Sequence, residues 1–179
     1  MKKALLMAVA MFLPISIFLF LKFFGKNEFT VEPLFQQSDS TKAVTCDKPI
    51  SYPYKIATQQ LDNLLENNKS ELTAISFSED EERLKDFAER VQEKFTTSEI
   101  SLYQVKSDSL ISNDNNKFQT LIKDKAKGEE LRSCVFLLSG INNLVLVDRE
   151  GNIRGQYQLG NLDEEDRLLV ETTIILKKY

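Results

Sequence analysis

The thiol and imidazole content of the chain limits the chemistry it can perform. Its 179 residues include two cysteines, Cys46 and Cys134, and no histidine. The cysteines form neither a C-x-x-C nor a C-x-x-x-C motif, so the sequence offers no zinc ribbon and no local dithiol. Without histidine, the chain lacks the usual general base near neutral pH and the commonest imidazole ligand for metals. These absences constrain function more than any residue that is present.

Three interpretations of the two cysteines remain open. In an oxidising compartment they would form a disulfide that closes a loop of 88 residues (134 − 46). The chain-entropy model gives such a bond about 4–5 kcal/mol of stability. Alternatively they stay unpaired, with Cys134 buried as a small apolar residue beside Val135 and Phe136. The third interpretation is a Cu(I) site with Cys46 and Cys134 as its ligands.

Four consecutive carboxylates, Glu79, Asp80, Glu81 and Glu82, form an acidic cluster at the start of a predicted helix. Such residues can bind a hard cation or perform acid–base work. However, consecutive residues point in different directions around a helix, and the helix dipole favours acidic residues in a first turn. We therefore interpret this cluster as helix capping and surface charge.

Composition indicates one globular domain without affinity for nucleic acid. The chain is 42% apolar and 28% charged, which suffices for a sizeable core. Its length leaves room for a single domain beyond a short N-terminal segment. The net charge of −4 and the lack of a basic patch argue against phosphate binding.

The N-terminus reads as a membrane anchor. Ala4 to Leu21 is an uncharged run of 18 residues, and Lys22 follows it. A bilayer crossing needs about 20 helical residues, and Lys22 can snorkel to complete the span. A cleaved signal peptide, with Lys2 and Lys3 as its basic start, is the alternative, but no small-x-small cleavage site follows. We predict a lipid-embedded anchor over residues 1–26, in the inner (cytoplasmic) membrane, with the rest of the chain facing the periplasm or cell exterior.

Hydrophobic periodicity divides the remainder into a tether over residues 27–57 and a domain over residues 58–179. Prolines and polar residues without periodicity mark the tether. Apolar alternation and helical spacing predict the elements of the domain. These are a strand over 72–78, a helix over 79–95 with a Ser78–Glu81 capping box, a strand over 101–105, a helix over 117–127, a short helical turn within 129–138, a hairpin over 144–159 and a helix over 163–177. The order β-α-β-α-β-β-α predicts a thioredoxin-like α/β fold.

Two stretches carry a resemblance to a known family. They are F-S-E-D-E-E-R-L-K-D-F-A-E-R-V-Q-E-K-F and L-V-L-V-D-R-E-G-N-I-R-G-Q-Y. Together with the anchor and the proline-bearing tether, they resemble the Sco/SenC family. Its members are membrane-anchored, thioredoxin-fold proteins that deliver copper to respiratory cytochrome oxidase. The resemblance implies a role in the cell envelope, with a protein partner there.

The chain departs from this family at each copper ligand. The family has a C-x-x-x-C motif after its first strand, whereas residues 78–83 here contain no cysteine. The family's distal histidine would fall near Gly140. No proline precedes Leu144, where active thioredoxins carry one. We therefore predict no catalytic residue, no cofactor and no metal, and a silent binding or assembly module, accessory to oxidase biogenesis. The alternatives are a copper chaperone or thiol redox protein that uses Cys46 and Cys134, and a purely structural envelope protein.

Overall fold

The computed structural model describes residues 2–24, 30–37, 46, 50–65, 70–106, 118–122 and 124–177. The chain divides into two compact units, Met1–Thr30 and Val31–Tyr179. The first unit contains helix α1, Lys2–Phe24, which includes Pro14. Among the described residues, no helix combines the length and the apolar character that a bilayer crossing needs. The N-terminal anchor stays a prediction.

The second unit is built on a five-stranded mixed sheet. Its strands are β1 Leu72–Ser76, β2 Ile100–Lys106, β3 Gln119–Ile122, β4 Leu144–Asp148 and β5 Ile153–Tyr157. They lie in the order β3-β2-β1-β4-β5. Strands β1, β2 and β3 are parallel, β4 is antiparallel to β1, and β5 is antiparallel to β4. The sub-order β2-β1-β4-β5 with these directions is the thioredoxin-like sheet, so the predicted fold is confirmed.

Helices cover both faces of this sheet. They are α2 Thr58–Leu64, α3 Glu81–Lys94, α4 Lys125–Glu130 and α5 Leu162–Ile175, and a π-helical turn over Leu131–Val135 continues α4. Successive side chains of a strand point to opposite faces. Accordingly, Ala74 packs in the cluster that α3 and α5 cover. Ile75 packs in the other cluster, beneath α2 and the π-helical turn.

The helix predicted over residues 117–127 is wrong. Gln119–Ile122 is instead the edge strand β3, in which Gln119 lies opposite Tyr103 of β2. Pairing satisfies backbone groups of β2 that would otherwise be left at an open edge. The helix begins only at Lys125, where the carboxylate of Asp124 accepts a hydrogen bond from the N–H of Lys127 at 2.9 Å. Gly128 lies inside this helix.

The second compact unit begins at Val31, within the segment that the sequence predicts as a tether. Residues 31–37 and 50–57 lie along the β4–β5 hairpin. Ile56 is 2% exposed, and its N–H donates to the carbonyl of Gly151 at 2.9 Å. A Cβ at Gly151, whose φ is +85°, would lie 2.1 Å from the carbonyl oxygen of Ile56. Only glycine allows this approach, so the segment is part of the fold.

Tyr157 fastens β5 to α5. It is fully buried, and its hydroxyl donates to Oε2 of Glu171 at 2.5 Å. The guanidinium of Arg167 lies 4.7 Å from the centre of its ring. A Cβ on Gly155 would lie 2.1 Å from the Tyr157 hydroxyl oxygen, so the ring fits only because residue 155 is glycine. Burial, and then the hydrogen bond to the Glu171 carboxylate, raise the pKa of Tyr157.

We expect Gly155→Ala to destabilise the chain by about 1–3 kcal/mol, because the added methyl group must displace a fully buried ring. Gly128→Ala is the matched control, since the nearest atom to its added Cβ is 4.0 Å away. In a helix that change is expected to be neutral or to stabilise by up to about 1 kcal/mol. Urea unfolding of both variants measures the difference, and equal midpoints would show that the ring moves without cost.

The raised pKa of Tyr157 predicts that the folded chain loses stability at alkaline pH. An unfolded tyrosine titrates near pH 10, whereas the folded chain keeps its Tyr157 proton above that pH. The unfolded state then binds fewer protons, so the free energy of unfolding falls as the pH rises above about 10, by up to about 1.4 kcal/mol per pH unit. Tyr157→Phe removes this contribution. Urea unfolding at about pH 8 and 11 should give a shallower decline for the variant, and parallel declines would contradict the assignment.

Candidate functional site

Three loops meet at one end of the sheet, and we call this surface the loop end. They are residues 77–80 after β1, residues 139–143 before β4 and residues 158–162 after β5. Asn143 joins them: its carbonyl accepts from the N–H of Phe77 at 2.8 Å, and its Oδ1 accepts from the N–H of Leu159 at 2.7 Å. Asn143 occupies the position directly before β4, where active thioredoxins carry a proline. The backbone carbonyl and the side chain of Asn143 thus join the three loops of the loop end.

Side-chain oxygens cap the loop between β1 and α3 in series. Oγ of Ser76 accepts from the N–H of Ser78 at 3.1 Å, and Oγ of Ser78 accepts from the N–H of Asp80 at 3.2 Å. Oδ1 of Asp80 then accepts from the N–H of Arg83, also at 3.2 Å. Asp80 is thus the N-cap, and the predicted Ser78–Glu81 capping box is wrong. Ser78 caps the loop instead, because β1 ends at Ser76 and α3 begins only at Glu81.

This arrangement determines what the start of α3 can bind. Thioredoxin-type catalysis needs a thiolate at a helix N-terminus, where free N–H groups and the helix dipole stabilise its charge. Here a carboxylate already occupies that position and takes the N–H of Arg83. Glu81 and Glu82 add negative charge in the first turn. The site therefore disfavours thiolates and other anions.

Gln104 lies beneath the loop and escaped the sequence analysis. It is fully buried on β2, opposite Ser76, and its Nε2 donates to the carbonyl of Ser78 at 3.0 Å. Its Oε1 is buried without a hydrogen-bond partner among the described residues. Leaving such an acceptor unpaired costs about 1–3 kcal/mol. The only sequence signal was a polar residue between Tyr103 and Val105, which is equally typical of a solvent-facing position.

The acidic cluster at the loop end makes ion pairs with neighbouring cations. Oε1 of Glu81 lies 2.7 Å from Nζ of Lys106, and Oδ2 of Asp80 lies 3.1 Å from Nε of Arg83. Glu79 and Glu82 are exposed or partly exposed. Across the described part of the chain, no three carboxylate, thiol or imidazole side chains are grouped so that they could hold a metal ion. The described contacts of the cluster are those of capping and surface pairing.

Two large apolar side chains of these three loops are exposed at the loop end. Ile141 is 73% exposed and Leu162 is 69% exposed. The loop that ends at Leu162 packs against the first turn of α3, since a Cβ on Gly160 would lie 1.9 Å from the Arg83 guanidinium. Exposed apolar groups rimmed by charge are typical of protein–protein contact surfaces. The loop end thus combines negative charge with apolar surface.

The two cysteines lie elsewhere. Cys46 and Cys134 form a disulfide with an S–S distance of 2.02 Å and a Cα–Cα distance of 5.7 Å. Cys134 belongs to the π-helical turn, whose Val135 packs on the face of the sheet opposite α3. The structure therefore does not bring either sulfur to the start of α3. Both cysteines are half-buried.

No protein-family model matches the chain, and no curated protein matches it. Among the solved structures that are similar to it are the following three. BsSco, a member of the Sco family of cytochrome c oxidase assembly proteins, is 12% identical over 64% of this chain and 85% of its own, with a TM-score of 0.46. A putative electron transfer protein from Aquifex aeolicus VF5 is 13% identical over 62% and 85%, with a TM-score of 0.43. A thioredoxin-like protein from Aeropyrum pernix is 14% identical over 60% and 81%, with a TM-score of 0.40.

Proposed function

We propose that the chain is a non-catalytic, thioredoxin-like binding module that recognises a protein partner through the loop end. The capped loop from Ser76 to Arg83 carries this proposal. Serine and carboxylate oxygens stand where thiol chemistry needs a thiolate, and they already accept the nearby N–H groups. A rigid, preorganised loop suits binding, because little conformational entropy is lost when a partner docks.

The charge and the exposed apolar area of the loop end indicate which kind of partner surface would fit it. Glu79 and Glu82 give it negative charge, and Ile141 and Leu162 offer exposed apolar area. A complementary surface carries Lys or Arg around an apolar centre, since charge complementarity speeds and orients association. We therefore propose a basic, partly apolar face on an envelope protein as the partner.

We further propose that the N-terminal run Ala4 to Leu21 tethers this module to the inner (cytoplasmic) membrane, with the unit Val31–Tyr179 facing the periplasm or cell exterior. The uncharged run Ala4 to Leu21 supports the tether. The side chains from Met11 to Phe20 are exposed, which suits contact with lipid. The disulfide supports the periplasm, because such bonds persist in oxidising compartments. Accessory work in respiratory oxidase assembly is proposed from the sequence resemblance to the Sco/SenC family.

A second candidate function is that of a copper chaperone or thiol redox protein that uses Cys46 and Cys134. Their bonded sulfurs favour it, because reduction would leave two adjacent thiols, and thiolates suit Cu(I). In this case the chemistry would lie on the face opposite α3, away from the family's site. The two candidates differ in which surface does the work.

A photo-crosslinking amino acid at position 141 or 162 tests the loop end in cells that produce the full chain. We expect both positions to capture a partner of the same mass. Position 170 is the matched control, because Val170 is an apolar residue of α5 that is 57% exposed. Combining the crosslinker with Glu79→Lys and Glu82→Lys should weaken capture, since the charge of the surface is then reversed. Equal capture at position 170, or capture unaffected by charge reversal, would contradict the proposal.

Copper titration separates the two candidates. We expect the full chain in detergent, with its disulfide intact, to bind no Cu(I) above the background of a competing chelator. After anaerobic reduction, the first candidate predicts the same result, whereas the second predicts tight binding by the two thiolates. Cys46→Ser and Cys134→Ser serve as controls. Tight one-to-one binding that either variant abolishes would establish the second candidate.

A further inference from the structure

A cavity of about 560 Å³ lies beside the disulfide, on the face of the sheet opposite α3. One wall is the N-terminal segment that includes Tyr54, Ile56 and Gln60. The other wall is the end of α4 and the π-helical turn, with Glu129 and Ser133. Cys46 belongs to the first wall and Cys134 to the second. The disulfide therefore spans the cavity as a covalent link between its walls.

Apart from the disulfide, the described polar link between the walls is the hydroxyl of Tyr54. It donates to the carbonyl of Val135 at 2.8 Å, with the carbonyl of Cys134 at 3.4 Å. One such hydrogen bond contributes far less than a covalent link that closes 88 residues. Ile50 and Tyr54 also pack on the neighbouring apolar cluster, but each is only partly buried. The disulfide thus dominates the closure of the cavity.

The wall that holds Cys134 has an unusual backbone. The N–H of Phe136 donates to the carbonyl of Leu131 at 2.9 Å, five residues back, which defines a π-helical turn. Leu137 follows with φ +51°, in the left-handed region, although its side chain is 4% exposed. Such turns cluster at functional sites, and a non-glycine residue at positive φ persists only where its surroundings hold it. The backbone of this wall is therefore one that its surroundings must hold in place.

The hydroxyl oxygen of Ser133 lies where it can accept a hydrogen bond from the thiol of a reduced Cys134. Its Oγ donates to the carbonyl of Glu129 at 2.6 Å, so the hydroxyl hydrogen is already used. The same oxygen lies 3.7 Å from Sγ of Cys134. Its lone pairs can therefore accept from a thiol S–H at that position. The reduced state would gain a hydrogen bond that the disulfide cannot make.

We propose that Cys46–Cys134 is a reducible clasp that controls access to this cavity. A thiolate of a dithiol reductant attacks one sulfur, the S–S bond breaks, and the other cysteine leaves as a thiolate that takes up a proton. The second thiol of the reductant then displaces the first cysteine. Two electrons pass to the chain, and the dithiol becomes a disulfide. The walls then separate and the π-helical turn relaxes, while the sheet stays folded.

Hydrogen exchange on the full chain in detergent tests the clasp, with dithiothreitol as the dithiol. We expect reduction without global unfolding, followed by exchange that is faster by about ten-fold at residues 50–57 and 129–136. Exchange in β1 and β4 should stay unchanged. Oxidised chain at the same pH is the first control. Cys46→Ser and Cys134→Ser should show the opened pattern without reductant.

Two outcomes would overturn the proposal. One is a disulfide that reacts with dithiothreitol only under conditions that also unfold the sheet. The other is a reduced chain, alkylated with iodoacetamide, whose exchange equals that of the oxidised chain. Hydrogen exchange of the reduced wild-type chain tests the proposal even if the serine variants fail to fold. The result is also independent of the loop-end proposal, since crosslinking at position 141 reports on a different surface.

Discussion

Burial of β1 on both faces is the constraint from which the rest of this structure follows. All five residues of Leu72–Ser76 are buried, and the strand pairs with β2 on one side and β4 on the other. A strand without an exposed face needs helices on both sides, and this requirement produces the two helical layers. The chain must also leave β1 at Ser76 and turn back into α3. The loop end exists because that exit meets the loops that flank β4 and β5.

At the loop end the strand order is thioredoxin-like, but the residues at the helix start are not those of thiol chemistry. The strand order positions a helix N-terminus where a thioredoxin-like protein can activate a thiol. In this chain the same backbone position is filled by Ser78 and Asp80, and the oxygens of both accept local N–H groups. The negative charge of the first turn opposes any anionic intermediate. The surface at this position carries negative charge and exposed apolar groups.

The sequence predicted those elements whose signal is local and periodic. The spacing of Leu84, Phe87 and Val91 predicted α3, and the turn residues between Asp148 and Asn152 predicted the hairpin. Strand β3 was missed because it is four residues long and forms only by pairing with β2. The packing of residues 31–37 and 50–57 gives no such signal, because it depends on isolated contacts such as that of Ile56 with Gly151. Neither contact leaves a repeating pattern in the sequence.

The candidate site was less predictable than the fold, because its residues are joined by tertiary contacts. Sequence alone located the acidic cluster and the missing thiols, but not Gln104 beneath Ser78 or Asn143 between the loops.

The central claim is that this fold binds without thiol catalysis, and an insulin-reduction assay tests it most directly. We expect the full chain in detergent to accelerate dithiothreitol-driven insulin reduction no more than a double variant that carries both Cys46→Ser and Cys134→Ser. Multiple turnovers that the double variant lacks would contradict the account.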